Sequence, residues 1–110
     1  MNDRLTTRFW VDAYRMRLRL YDIPAFVVAH GDDTAGAVLV KLNTLDGQGV
    51  VYQRSFDLMS GNRKWVTLSE GAEADVDAAI ARQRGFDPDL WVIEIEDSKG
   101  RHLLDEPGLE

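Results

Sequence analysis

The sequence of 110 residues contains no cysteine. It therefore has no disulfide, no thiol nucleophile and no thiolate ligand for a metal ion. No apolar run approaches the roughly 20 residues that a helix needs to cross a bilayer. The first ten residues, MNDRLTTRFW, lack the apolar stretch of a secretory signal peptide. We therefore expect a cytoplasmic protein with no membrane association.

Several motifs of enzymes are also missing. The segment GDDTAGAV, residues 31–38, has glycines at the spacing of a phosphate-binding loop but lacks the lysine that such a loop requires. No serine lies in a Gly-x-Ser-x-Gly turn. We therefore expect no cofactor, and the sequence favours a non-enzymatic protein without excluding an enzyme.

What the chain does contain is typical of one globular domain. Hydrophobic residues make up 45% and charged residues 29% of the sequence. The net charge of −6 is unevenly distributed. Residues 1–64 carry nine basic and seven acidic side chains, whereas residues 65–110 carry four and twelve. Such polarity can favour association with another copy or with a basic partner.

Apolar periodicity and turn residues predict an α+β domain. Short turns between the first four strands favour a meander, so we expect a two-layer fold with a mainly antiparallel sheet of four to six strands. The order is a helix, a four-strand meander, a second helix and a terminal hairpin. One domain should cover residues 1–104, followed by a frayed tail over 105–110. The first predicted helix begins at Asp3 or Thr6 and ends at Tyr21, and the second spans residues 73–84. The predicted strands span residues 25–30, 37–43, 49–56, 65–68, 90–96 and 101–104.

The first helix has more apolar surface than one contact with a sheet can bury. Its predicted core face consists of residues at helical spacing: Leu5, Phe9, Ala13, Met16 and Leu20. A second flank is rich in the residue types that dominate binding hot spots. This flank predicts a partner-binding surface for a second copy or another protein, formed by Trp10, Tyr14, Arg17 and Tyr21. The alternative is that the rest of the same chain covers this flank.

Four arginines form a basic stripe on the same helix. Arg4, Arg8, Arg15 and Arg19 fall within about 60° of one another on a helical wheel. A stripe of this kind could bind RNA, and we keep that as a second alternative function. The charge distribution nevertheless argues against nucleic acid as a partner, because phosphate binding needs a net basic footprint and the last third of the chain is acidic.

The cluster His30, Asp32 and Asp33 is the only grouping that suggests metal chemistry. An imidazole and two carboxylates can hold a divalent ion, so the alternative function is a metal-dependent hydrolase or nuclease-like enzyme that uses this turn. The competing interpretation is structural, since aspartates favour turns by bonding to their own backbone.

Long stretches of the chain resemble a known family. The stretches are RLTTRFWVDAYRMRLRL, IPAFVVAHGDDTAGAVLVKLNTLDG, YQRSFDL and IARQRGFDPDLWVIEIED. Together they resemble a small alpha-proteobacterial family of uncharacterised proteins, a domain-of-unknown-function family whose members are about as long as this chain. The resemblance covers nearly the whole chain and implies a stand-alone cytoplasmic protein. It implies no activity, cofactor or catalytic residue.

Overall fold

The computed structural model describes residues 5–110 and contains two helices and one five-stranded sheet. Thr6 caps the first helix, since its hydroxyl accepts a hydrogen bond from the Phe9 amide at 3.2 Å. The predicted start at Thr6 is confirmed, whereas Asp3 lies outside the described residues. No helix within residues 5–110 is long and apolar enough to cross a membrane. The elements are α1 (Thr7–Leu20), β1 (Ala25–Ala29), β2 (Val38–Asn43), β3 (Gln48–Phe56), β4 (Arg63–Ala72), α2 (Glu73–Phe86) and β5 (Trp91–Glu96).

The strands follow the order β1-β5-β2-β3-β4 in the sheet. The α+β class and the mainly antiparallel sheet are confirmed, because only the β2–β5 pair is parallel. The predicted β1–β2 hairpin is wrong, since β5 lies between these two strands, and the meander is limited to β2, β3 and β4. The β1–β2 connection instead crosses the N-terminal end of β5. There a Cβ on Gly31 or Gly36 would overlap the carbonyl oxygen of Asp89, so both positions require glycine.

The two helices lie on opposite faces of the sheet, which corrects the expected two layers to three. Alternate residues of β2 show this arrangement, since Val38, Val40 and Leu42 join the core beneath α1, whereas Leu39 joins the core beneath α2. The α2 core includes Val76 and Ile80, which are four residues apart and therefore share one face of the helix. Because β2 is covered on both sides, its almost continuous apolar run is explained.

The C-terminal segment forms no strand and no terminal hairpin, contrary to the prediction. Residues 97–110 run as turns over the α1 side of the sheet, where Leu103, Leu104 and Leu109 are buried. Residues 105–110, for which fraying was predicted, contact the core in this structure. The indole nitrogen of Trp65 donates to the Leu109 carbonyl at 2.7 Å, and that side chain is 2% exposed. The segment therefore closes the core that α1 shares with the sheet.

Candidate functional site

The predicted partner-binding flank of α1 is mostly buried within the same chain. Trp10 and Tyr14 are 5% and 0% exposed, so they cannot contact a partner. The Tyr14 hydroxyl donates to the carbonyl of His102 at 2.8 Å. Arg17 donates to the carbonyl of Pro107 at 3.1 Å, and Tyr21 remains partly exposed at the end of the helix. The sequence-based alternative, that the rest of the chain covers this flank, is the correct one.

The outward face of α1 carries the apolar residues that were predicted to face the core. Leu5, Phe9, Met16 and Leu20 are 57%, 59%, 65% and 79% exposed. Phe9, Met16 and Leu20 lie on one line along the helix, where Ala13 is exposed as well, and Leu5 lies just before the N-cap. We call Leu5, Phe9, Ala13, Met16 and Leu20 the outward stripe. The excess apolar surface of α1 is therefore real, but it lies on the opposite side from the predicted one.

Three of the four basic-stripe arginines lie beside the outward stripe. Arg8, Arg15 and Arg19 are exposed, and Arg4 lies outside the described residues. Arg8 is 3.9 Å from the carboxylate of Asp12 and 3.7 Å from that of Asp33. Both pairs are well exposed, so they add little stability. Helix α1 therefore carries the outward stripe with exposed arginines along one side of it.

The His30 loop does not assemble a three-ligand site. His30 Nε2 is 2.7 Å from Asp33 Oδ1, and the imidazole packs against the Trp91 ring at 4.0 Å. The Asp32 carboxylate instead accepts hydrogen bonds from the backbone amides of Thr34 and Ala35. Within residues 5–110, no group of three or more histidine or acidic side chains is arranged to hold a metal ion. The loop thus shows the turn chemistry that the sequence offered as the competing interpretation.

A buried ion cluster on the α2 side was missed by the sequence analysis. The Lys41 ammonium lies 2.7 Å from Glu73, 2.7 Å from Asp77 and 3.4 Å from Glu94. Burial alone lowers the pKa of Lys41, but the hydrogen bonds to Asp77 and Glu73 and the charge of Glu94 outweigh it. The net effect raises the pKa well above its ordinary value. The ammonium therefore stays charged at neutral pH and ties α2 to the sheet, and it is unsuited to act as a base or nucleophile.

A second missed cluster lies on the α1 side. The guanidinium of Arg54 stands over the rings of Trp10 and Trp65, at 4.7 and 5.0 Å from the ring centroids. Trp10 also stacks on Tyr14 at 4.9 Å. The alternation of β3 signals part of this arrangement, because it places Tyr52 and Arg54 on one face. The partner Trp65 follows only from the β3–β4 register, which sets it opposite Arg54.

Comparisons with known proteins agree on one small group. A sequence-family model described as "Protein of unknown function (DUF1491)" matches residues 5–105. The crystal structure of a DUF1491 family protein from Caulobacter crescentus is similar, with 40% identity, a TM-score of 0.85, and coverage of 94% of this chain and 98% of that one. An NMR structure described in the same words gives 40% identity, a TM-score of 0.80 and 94% coverage of both chains.

A more distant relative comes from A. tumefaciens. Its solution structure is 30% identical, has a TM-score of 0.72, and covers 84% of this chain and 86% of that one. No protein of curated function matches the chain at a significant level. The similarity therefore extends over nearly the whole fold and brings no activity with it.

Proposed function

The chain belongs to the DUF1491 family of unknown function, and from that premise we propose that it is a non-enzymatic assembly module that forms a homodimer through the outward stripe of α1. The observation that carries the proposal is the exposure of three large apolar side chains along one line of α1, with the exposed Leu5 just before its N-cap. Apolar areas of this kind in a folded protein mark interaction surfaces. Their burial is favourable by about 25 cal/mol for each Å² removed from water.

The spacing of the outward stripe supports a second copy as the partner. Leu5 and Phe9 are four residues apart, as are Met16 and Leu20, so the stripe is symmetric about its midpoint. In an antiparallel pair related by a two-fold axis, Leu5 of each copy meets Leu20 of the other, and Phe9 meets Met16. Two-fold interfaces require such self-complementary surfaces. The small Ala13 lies near the axis, where it lets the two helices approach closely.

The charges beside the stripe support the same register. In this register Asp12 of one copy lies at the level of Ala13 of the other, and Arg15 at the level of Trp10, so Asp12 and the partner's Arg15 are offset by about two residues, or about 3 Å along the helix. The long arginine side chain can span this offset. Within residues 5–110, Arg15 takes part in no ion pair. Two such intermolecular pairs would specify the antiparallel direction more than they strengthen it.

The expected dimer is weak because the stripe is narrow. Specific interfaces bury at least about 1,000 Å² in total. One helix face from each copy buries no more than this area. We therefore expect a concentration-dependent equilibrium with a dissociation constant in the range of about 10 μM to 1 mM. This range makes the oligomeric state measurable by sedimentation.

Sedimentation velocity over that concentration range tests the proposal. Wild type should shift from monomer to dimer, and Met16→Lys should remain monomeric because it places a charge against Phe9 of the partner. Met59→Lys is the matched control, since Met59 is 95% exposed and lies in the β3–β4 turn. A monomeric wild type at every concentration, or equal dimerisation of Met16→Lys and Met59→Lys, would contradict the proposal.

Charge exchange tests the register separately. Asp12→Arg and Arg15→Asp should each weaken the dimer, whereas the double variant should recover most of the lost affinity. If the double variant is as weak as the sum of the single variants, the antiparallel register is wrong even where the stripe forms the interface.

A further inference from the structure

We propose that Arg54 and Arg63 form a binding site for a small organic anion, a carboxylate or phosphate monoester joined to an apolar group. The site is a cavity of about 310 Å³ between the N-terminal end of α1 and the strands β3 and β4. It is distinct from the outward stripe, although Leu5 borders both. The argument rests on the unpaired guanidinium, the charge of the cavity walls and the size of the cavity.

Arg54 is held by aromatic rings and lacks an anionic partner. Its Nε and Nη2 are covered by protein but donate no hydrogen bond. No ion pair involves Arg54 within residues 5–110. Because these two atoms are closed to solvent, an anion in the cavity would be drawn to Arg54 by its charge and not through this covered edge. No ion pair compensates that charge, so it favours an anion in the adjoining cavity.

The electrostatic surroundings of Arg54 favour an incoming anion. Burial and the nearby charge of Arg63 lower the pKa of Arg54 to about 10, an effect that Glu110 partly offsets. The positive charge on this guanidinium is therefore undercompensated. An anion bound between Arg54 and Arg63 would neutralise both cations at once.

The cavity walls match the proposed ligand. Arg54 and Arg63 supply two cations, and no carboxylate among the described residues lines the cavity. Thr7 also contributes, so the positive end of the α1 dipole lies beside the cavity. Phe56 and Leu5 add apolar surface that is more than half exposed. The volume is at the lower end for ligand pockets, which limits the ligand to a small molecule with one apolar group.

NMR titration of the full chain tests the site. The probes are phenyl phosphate, benzoate and inorganic phosphate, with benzyl alcohol as the neutral analogue. The readout is the indole N–H signal of Trp10, whose nitrogen has no acceptor and whose ring faces Arg54. We expect a saturable shift with at least one aromatic anion, weaker binding of inorganic phosphate, and binding of benzyl alcohol about tenfold weaker or more. The phosphate and carboxylate probes then show which anion fits.

Variants separate recognition from general charge. Arg54→Met and Arg63→Gln should each weaken binding about tenfold, because each removes a positive charge beside the cavity. Arg82→Gln removes the same charge from α2, on the opposite face of the sheet, and should bind like wild type. Near-UV circular dichroism confirms that each variant is folded, and Arg54→Gln replaces Arg54→Met if that variant unfolds. The Met16→Lys variant should bind normally, so failure of the dimer and failure of this site are distinguishable.

Two results would overturn the inference. One is the absence of saturable binding for both aromatic anions with wild type. The other is equal affinity in wild type, the Arg54 variant and the Arg63 variant, because an anion that binds without these cations does not use the cavity.

Discussion

Replacement of Lys41 by methionine tests the buried ion cluster most directly. The Lys41 side chain is 4% exposed, and its ammonium is the cation between the carboxylates of Glu73, Asp77 and Glu94. Methionine retains most of the stem and removes the charge, which leaves three carboxylates facing one another without compensation. The variant should therefore be destabilised by repulsion between them and by loss of their hydrogen bonds.

The size of the destabilisation in Lys41→Met depends on how well water can solvate the three carboxylates. Removal of one partner from a fully buried pair costs about 3–5 kcal/mol. Glu73 and Asp77 are 37% and 55% exposed, so solvent screens part of this loss. We expect a destabilisation of about 2–3 kcal/mol, which lowers the melting temperature of a domain of this size by about 10 °C.

The pH dependence of the variant has a definite sign. In wild type the raised pKa of Lys41 means that its contribution is fully present below the ordinary lysine value and is lost only as pH rises through the folded pKa. Lys41→Met lacks this contribution, so the difference in stability between wild type and variant should persist from pH 7 to the ordinary lysine value and shrink only as pH rises above it.

The assay is thermal and urea unfolding of wild type, Lys41→Met and the matched control Lys64→Met, whose lysine is exposed on β4. The control should stay within about 0.5 kcal/mol of wild type. If Lys41→Met were as stable as this control, the reasoning would be refuted, because the ion pairs of Lys41 would then make no net contribution to stability.

Two further predictions concern the C-terminal segment. Leu109→Ala should destabilise the protein by about 2–4 kcal/mol because the Leu109 side chain is buried. Leu58→Ala, at an exposed turn, should have almost no effect. Equal unfolding midpoints of the two variants would mean that the C-terminal segment does not pack on the core. Burial lowers the pKa of His102, an effect that Asp105 partly offsets, and its Nδ1 accepts the Leu104 amide at 2.9 Å. The folded state therefore resists protonation, so stability should fall as pH drops below about 6.5 toward the folded pKa. His102→Gln should reduce this fall and His30→Gln should preserve it, and the reverse order would exclude His102 as its source.

Local patterns in the sequence were sufficient for much of this fold. The cap at Thr6, the inner face of α2 with Val76 and Ile80, and the antiparallel run from β2 to β4 all depend on residues close together in the chain. Turn residues between neighbouring strands specify such pairings directly. The position of β5 was missed because no short turn encodes its parallel pairing with β2.

The α1 prediction was wrong because the helix has two apolar lines of similar length. Periodicity detects both lines and cannot rank them. The line with Trp10 and Tyr14 faces inward in the structure, where its rings pack on the sheet and the Tyr14 hydroxyl finds an acceptor. The cluster around Lys41 depends on the β2–β5 register and on the packing of α2, and the cluster around Arg54 on the β3–β4 register and on the packing of α1. Because these contacts are distant in the chain, the sequence alone did not reveal the partners.

The central position of β5 has a consequence for how the chain reaches its folded state. During synthesis, β1 and β2 emerge long before residues 91–96, yet each needs that segment as a hydrogen-bonding neighbour. Until residues 91–96 are synthesised, β1 and β2 each have an edge without its hydrogen-bonding partner, and such edges can pair with strands of other chains. Completion of the sheet from the C-terminal side favours slow, all-or-none folding, and a product that stops before residue 91 should be prone to aggregation.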